Sequence, residues 1–150
     1  RRFRDRLTLA PDEDVDDAYP LTLTTGRVLA QYQSGAQTRR VAALAGAAPE
    51  AFAELHPDLA ARLGVEDGGP VRVGSRRGSV TVRARLTDAV RPDTVFIPFH
   101  WPGEGRANLL TNPALDPVSR MPEFKVCAVR VEPAGPAGPD PGAGPGRDSA

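Results

Sequence analysis

Cysteine appears once in the 150 residues, as Cys127. A lone thiol excludes an internal disulfide, an iron–sulfur cluster and a cysteine zinc site built from this chain alone. Histidine is nearly as scarce. His56 and His100 have no helical i, i+4 partner and no Cys or carboxylate at ligand spacing, so no metal site is assigned. Charge of one sign is not in excess, with 19 basic and 19 acidic residues. The basic surplus of a nucleic-acid binder is therefore missing. No apolar run approaches the ~18 residues of a membrane-spanning helix. Aromatic residues make up 5% of the chain, so Val, Leu and Ala must do most of the packing. Ser34, Ser75, Ser79 and Ser119 lie outside any G-x-S-x-G setting, which leaves a hydrolase triad without support. Gly103-Glu104-Gly105 is neither a P-loop nor a Rossmann fingerprint. The sequence opens on Arg1 without a visible signal peptide and reads as the tail of a longer polypeptide.

What is present fits one domain of modest core. Residues 1–18 read as a connector: four arginines, then the acidic run Asp12-Glu13-Asp14-Val15-Asp16-Asp17, of a kind usually solvated and mobile. Residues 19–132 read as the folded domain. Leu21-Thr22-Leu23-Thr24 alternates as a short strand that Gly26 ends, and residues 31–48 read as a long loop with a weak helical turn. Pro57–Leu63 is the clearest helix. Pro57 suits the first helical position, Asp58 complements the dipole, and Gly64 supplies a left-handed stop with Val65 folding back. Val71–Val73 and Val80–Leu86 alternate with period two around the turn at Arg77-Gly78, which predicts a hairpin. Val80, Val82, Ala84 and Leu86 should point inward. Thr94–Ile97 is apolar enough for a buried central strand, Asn108–Thr111 suits one short helical turn, and the last strand is expected at about Phe124–Val131. From Pro133 onward ten of eighteen residues are Pro or Gly without a three-residue period, so residues 133–150 read as a disordered tail. Several short strands and one helix suggest a small closed barrel.

The polar stretches between these elements carry the functional signal. Thr24-Thr25-Gly26-Arg27 leads into Gln31-Tyr32-Gln33-Ser34-Gly35-Ala36-Gln37-Thr38-Arg39-Arg40. Later come Phe99-His100-Trp101-Pro102-Gly103 through Asn108 to Asn112, and then Ser119-Arg120-Met121-Pro122-Glu123-Phe124-Lys125. Their amides, hydroxyls, guanidinium groups and glycines suit a surface that grips a large, flat, hydrogen-bonding ligand with a charged tail. On the residues alone, Thr24–Arg27 is either an ordinary strand-end turn or a close-approach anion contact. Likewise, His100-Trp101 either lines a pocket or caps the core. Cys127, among Val126, Ala128 and Val129, reads as a small apolar core residue.

Taken together, these motifs resemble the C-terminal molybdopterin-dinucleotide-binding domain of the dimethyl sulfoxide reductase superfamily, above all nitrate reductases of assimilatory type. The resemblance runs from about Tyr19 to Val131. It implies a mainly β fold, a six-stranded double-psi β-barrel with short helices. It implies that Thr25, Gly26, Arg27, Gln31, Gln33 and Ser34 contact the molybdopterin guanine dinucleotide pair, and that Gly35 and Thr38 complete that surface. Asn108 and Lys125 match two isolated cofactor-contacting positions, and Phe99 matches a position near the substrate funnel. Ser75-Arg76-Arg77 and His56-Pro57-Asp58 look like structural features. No catalytic residue and no metal ligand falls within this chain. The implied cofactor is molybdenum bis(molybdopterin guanine dinucleotide). The molybdenum ligand and a 4Fe-4S cluster would come from upstream domains of the same parent, a cytoplasmic enzyme that reduces nitrate to nitrite. A formate dehydrogenase with the same cofactor is the alternative, and a stand-alone, non-redox barrel is the alternative of another class. Aspartate decarboxylase shares the barrel and self-cleaves at a Gly-Ser bond; Gly74-Ser75 and Gly78-Ser79 are present but suit turn chemistry.

Overall fold

The computed structural model describes residues 12–135. The expected connector and tail therefore fall partly outside the described residues, at 1–11 and 136–150. Six strands form: β1 Leu21–Gly26, β2 Phe52–Leu55, β3 Pro70–Gly74, β4 Ser79–Leu86, β5 Thr94–Pro98 and β6 Cys127–Pro133. They close into a barrel in the order β1-β5-β2-β4-β3-β6. β1 pairs parallel with β5, and β2 parallel with β4, while the other four pairings are antiparallel. Two parallel pairs joined by antiparallel neighbours give the interlocked double-psi arrangement that the resemblance implies. Closure gives each of these six strands a neighbour on both sides.

Alternation builds the core. In β4 the buried side chains are Val80, Val82 and Ala84, while Thr81, Arg83 and Arg85 are exposed. β1 buries Leu21, Leu23 and Thr25, and β5 buries Val95 and Ile97. Each buried Val, Leu or Ile contributes about 1.5–3 kcal/mol, so many small side chains replace the missing aromatics. The β3–β4 hairpin pairs Val73 with Val80 and Gly74 with Ser79. Its turn closes with Ser75 N–H donating to the Gly78 carbonyl at 2.8 Å, and Arg77 N–H to Ser75 Oγ at 3.2 Å.

Two α-helices sit outside the barrel: α1, Ala42–Ala47, and α2, Pro57–Leu63. His56 caps α2, its Nδ1 accepting from Asp58 N–H at 3.1 Å. Gly64 ends the helix at φ 67° and Val65 N–H returns to the Ala60 carbonyl. The loop expected over residues 31–48 contains a 3-10 turn at Thr38–Arg40 as well as α1.

Three differences from the sequence reading matter. β2 lies between the two helices where no strand is expected; its four residues are held by pairing to β4 and β5, both distant in sequence. The last strand begins at Cys127 rather than Phe124, because the Phe124 carbonyl and the Lys125 side chain are turned toward β1. The acidic run is not wholly solvated. Glu13 is 10% exposed and pairs with Arg76 and with Arg77 (2.8 Å), and it accepts from Ala128 N–H at 3.2 Å. Asp16 pairs with Arg76 and caps the turn at Tyr19, whose ring lies under Arg76 and Arg130.

Candidate functional site

The parallel β1–β5 register sets Gly26 opposite Pro98, so the two strands deliver Arg27 and Phe99 side by side. The Arg27 guanidinium lies over the Phe99 ring, 5.6 Å from its centroid. Arg27 is exposed, and among the described residues no carboxylate pairs with it. Lys125 reaches the same strand end. Its Nζ donates to the Thr25 carbonyl at 2.6 Å, while Thr25 Oγ1 donates to the Phe124 carbonyl at 2.8 Å. This reciprocal clasp brings Thr25, Gly26, Arg27, Phe99 and Lys125 onto one rim of the barrel. Thr25 itself is buried, so its side chain serves the clasp. The space a Gly26 Cβ would need is occupied by Phe96, whose Cε2 would stand 2.4 Å away. The glycine thus admits a neighbouring ring of the fold.

The segment that follows β1 folds on itself. Gln31 is buried; its Nε2 donates to the Ala48 carbonyl at 3.0 Å and its Oε1 accepts from Thr38 Oγ1. Thr38 Oγ1 also accepts from Tyr32 N–H at 3.3 Å. Gly35 turns at φ 72° over the Arg39 guanidinium, which would stand 2.2 Å from a Cβ. Gln31, Gly35 and Thr38 therefore make the inside of the loop. Gln33, in a left-handed conformation at φ 49°, and Ser34 are exposed. Asn108, in a 3-10 turn at Ala107–Leu109, is exposed, and its carboxamide has no hydrogen-bond partner among the described residues. Among the described residues no hydrogen bond joins it to the Arg27–Lys125 cluster. Its turn is fixed from behind: Arg77 donates to the Leu110 carbonyl through Nε at 3.0 Å, and Asn112 Nδ2 donates to the Val126 carbonyl at 3.0 Å.

Two residues outside the expected set brace this surface. His100 is fully buried, bonding Val28 N–H and the Gln33 carbonyl. Arg39 donates to the carbonyls of His100 (3.0 Å) and Ser34 (2.8 Å). Both lie within the polar motifs, but a sequence carries no sign that they face inward. Trp101 caps the core edge against Phe52, ring centroids 6.1 Å apart, and its buried Nε1 has no partner among the described residues. No cluster of three or more His, Cys, Asp or Glu suited to a metal occurs among the described residues, and no helix is long and apolar enough to cross a membrane.

The fold defines a class, a closed double-psi β-barrel, here with an exposed guanidinium and an ammonium at the end of β1. Comparison with known proteins narrows it. The profile of the molydopterin dinucleotide binding domain matches residues 21–128, and the chain belongs to that family. The assimilatory nitrate reductase catalytic subunit of Bacillus subtilis (strain 168) is 50% identical over 123 residues, 82% of this chain and 17% of the relative. The F420-dependent formate dehydrogenase 1 subunit alpha of Methanococcus maripaludis is 47% identical over 122 residues, 81% of this chain and 18% of the relative. Among solved structures, acetylene hydratase from Pelobacter acetylenicus superposes with a TM-score of 0.67 at 23% identity, covering 77% of this chain and 18% of that one. That likeness speaks to the fold alone. The chain spans under a fifth of the length of these curated relatives.

Proposed function

We propose that this chain closes over the molybdenum bis(molybdopterin guanine dinucleotide) of a larger nitrate reductase. The reading is carried by the end of β1, where Lys125 and the Arg27–Phe99 pair lie, with the exposed Gln33–Ser34 turn and the exposed Asn108 amide as further donors and acceptors. These groups fit the ligand's chemistry. A guanidinium and an ammonium suit pyrophosphate, and a carboxamide offers a donor–acceptor pair to a pterin or guanine edge. Phe99, under Arg27, then faces the route by which substrate approaches. When bound, the cofactor supplies the two-electron redox centre at which nitrate becomes nitrite. This chain's residues bind and orient it. Cys127 is buried, so the molybdenum ligand and any 4Fe-4S cluster belong to upstream parts of the parent, which we place in the cytoplasm with an unspecified electron donor. The domain occupies residues 19–132, between a connector and a Pro/Gly-rich tail.

The deciding experiment uses the parent enzyme carrying Asn108→Ala or Lys125→Ala. Losing a neutral hydrogen bond costs about 0.5–1.5 kcal/mol and losing a charge-assisted one about 1.5–3 kcal/mol. Molybdenum per protein, or activity per bound molybdenum, should fall in both variants, more for Lys125. Full occupancy with full activity in both would reject the site. The 47% identity to a formate dehydrogenase subunit supports a second reading of the substrate. Turnover of nitrate with reduced viologen, against formate with oxidised viologen, separates the two.

A further inference from the structure

His100 bonds two backbone groups that constrain it in opposite ways. Val28 N–H can only donate, and it meets Nε2 at 3.0 Å. The Gln33 carbonyl can only accept, and it meets Nδ1 at 2.6 Å. Both bonds form together in one state only, the neutral ring with its proton on Nδ1. The ring is fully buried and packs, tilted by 39°, against Phe99 with centroids 4.8 Å apart. The loop it spans runs from the end of β1 to the exposed Gln33–Ser34 turn. Arg39 holds the other side, donating to the carbonyls of His100 and Ser34. The carbonyls of Gln33 and Ser34 are thus drawn inward, and the Gln33 and Ser34 side chains are left outside.

We propose that His100 is a positioning residue: through that one tautomer it sets the shape of the Val28–Ser34 loop before any cofactor arrives, so that the loop binds as a preformed surface. This rests on the reading that Gln33 and Ser34 face the cofactor. Ordering a loop at the moment of binding would subtract from affinity, and two hydrogen bonds to a buried ring avoid that loss.

Three substitutions separate the two bonds. A Gln side chain reaches the Nε2 position and keeps an acceptor for Val28. An Asn side chain reaches only the Nδ1 position and keeps a donor for Gln33. A Phe keeps neither. Amide hydrogen exchange on the 150-residue chain reads the Val28 bond directly. Exchange at Val28 should quicken roughly tenfold or more in His100→Phe and His100→Asn and return toward wild type in His100→Gln, tenfold being the factor for about 1.4 kcal/mol. In the parent, molybdenum per protein should fall in the order wild type, Gln, Phe. Equal Val28 protection in all four chains would overturn the proposal. So would a Val28 amide freed in the Phe variant while its parent retains full molybdenum and the Asn108→Ala and Lys125→Ala parents lose theirs. If all of these parents retain molybdenum, the cofactor reading fails instead, while the Val28 exchange still reports the clamp. Should His100→Phe not fold, the contrast of Gln with Asn decides.

Discussion

At the scale of single residues, the distinction that matters is which polar side chains are already spoken for. Gln31 and Asn108 are both amides expected at the cofactor, yet Gln31 is buried with both ends bonded and Asn108 is exposed, with neither end bonded among the described residues. Gln31→Ala should therefore destabilise the chain by about 1–3 kcal/mol, because the Ala48 carbonyl and the Thr38 hydroxyl lose their partner. Asn108→Ala should stay within about 0.5 kcal/mol of wild type, as for surface changes generally. Urea titration of the two variants checks both, and equal effects would show that the loop is not built around Gln31. Cys127 allows a second residue-scale test. Burial pushes its thiol up to about 11, the nearby Arg77 charge only partly opposing this. At neutral pH almost no thiolate is present, so alkylation by iodoacetamide should be slow in the native chain and complete in denaturant. Fast native alkylation would mean that the start of β6 opens. The sequence marks the polar motifs as unusual for loops of any composition. Which of their members turn inward was not legible, since composition does not record the direction of a side chain in a loop.

At the scale of elements, legibility followed local pattern. The β3–β4 hairpin, β5 and α2 each carry their own signal: alternation, an apolar run, or a proline start with a glycine stop. α2 shows how literal that signal can be, with His56 at the cap and Gly64 in the left-handed region. Nothing crowds the position of a Gly64 Cβ, so Gly64→Ala isolates the backbone strain. That strain is roughly 1–2 kcal/mol. The variant should melt several degrees below wild type with unchanged circular dichroism at low temperature, and an unchanged melting temperature would show that the helix end can relax. β2 had no such signal. Phe52-Ala53-Glu54-Leu55 follows an alanine-rich stretch, and only the partners brought in by closure, Arg83–Leu86 and Phe96, make it a strand. The start of β6 was misplaced for a related reason. Phe124 and Lys125 have strand-like neighbours in sequence but bond Thr25, a hundred residues away.

At the scale of the whole molecule, the barrel is closed by its own ladder, and the chain entering it is tied down by charge. Glu13 bonds Arg76 and Arg77 on the β3–β4 turn and the Ala128 amide on β6, so one side chain joins the incoming segment to a hairpin turn and a strand. Burial by itself would raise this carboxyl. Hydrogen bonds from Arg77, Arg76 and Ala128 outweigh it and hold the group below the ordinary 4.5. A carboxyl lowered in the folded state contributes stability that is fully present above its unfolded value and is lost as pH falls through the folded one. The tie should therefore be intact at neutral pH and fail only on acidification below about pH 4.5. Glu13→Gln removes the charge while keeping the shape. It should lower the melting temperature at neutral pH by several degrees, and the difference from wild type should shrink toward zero as both are acidified below that range, because the wild-type carboxyl is then neutral as well. Paired thermal melts across pH check this. A gap that stays constant down to strongly acid pH would show that Glu13 contributes by packing and not by charge, and that the incoming segment is held by the Tyr19 ring under Arg76 and Arg130 instead.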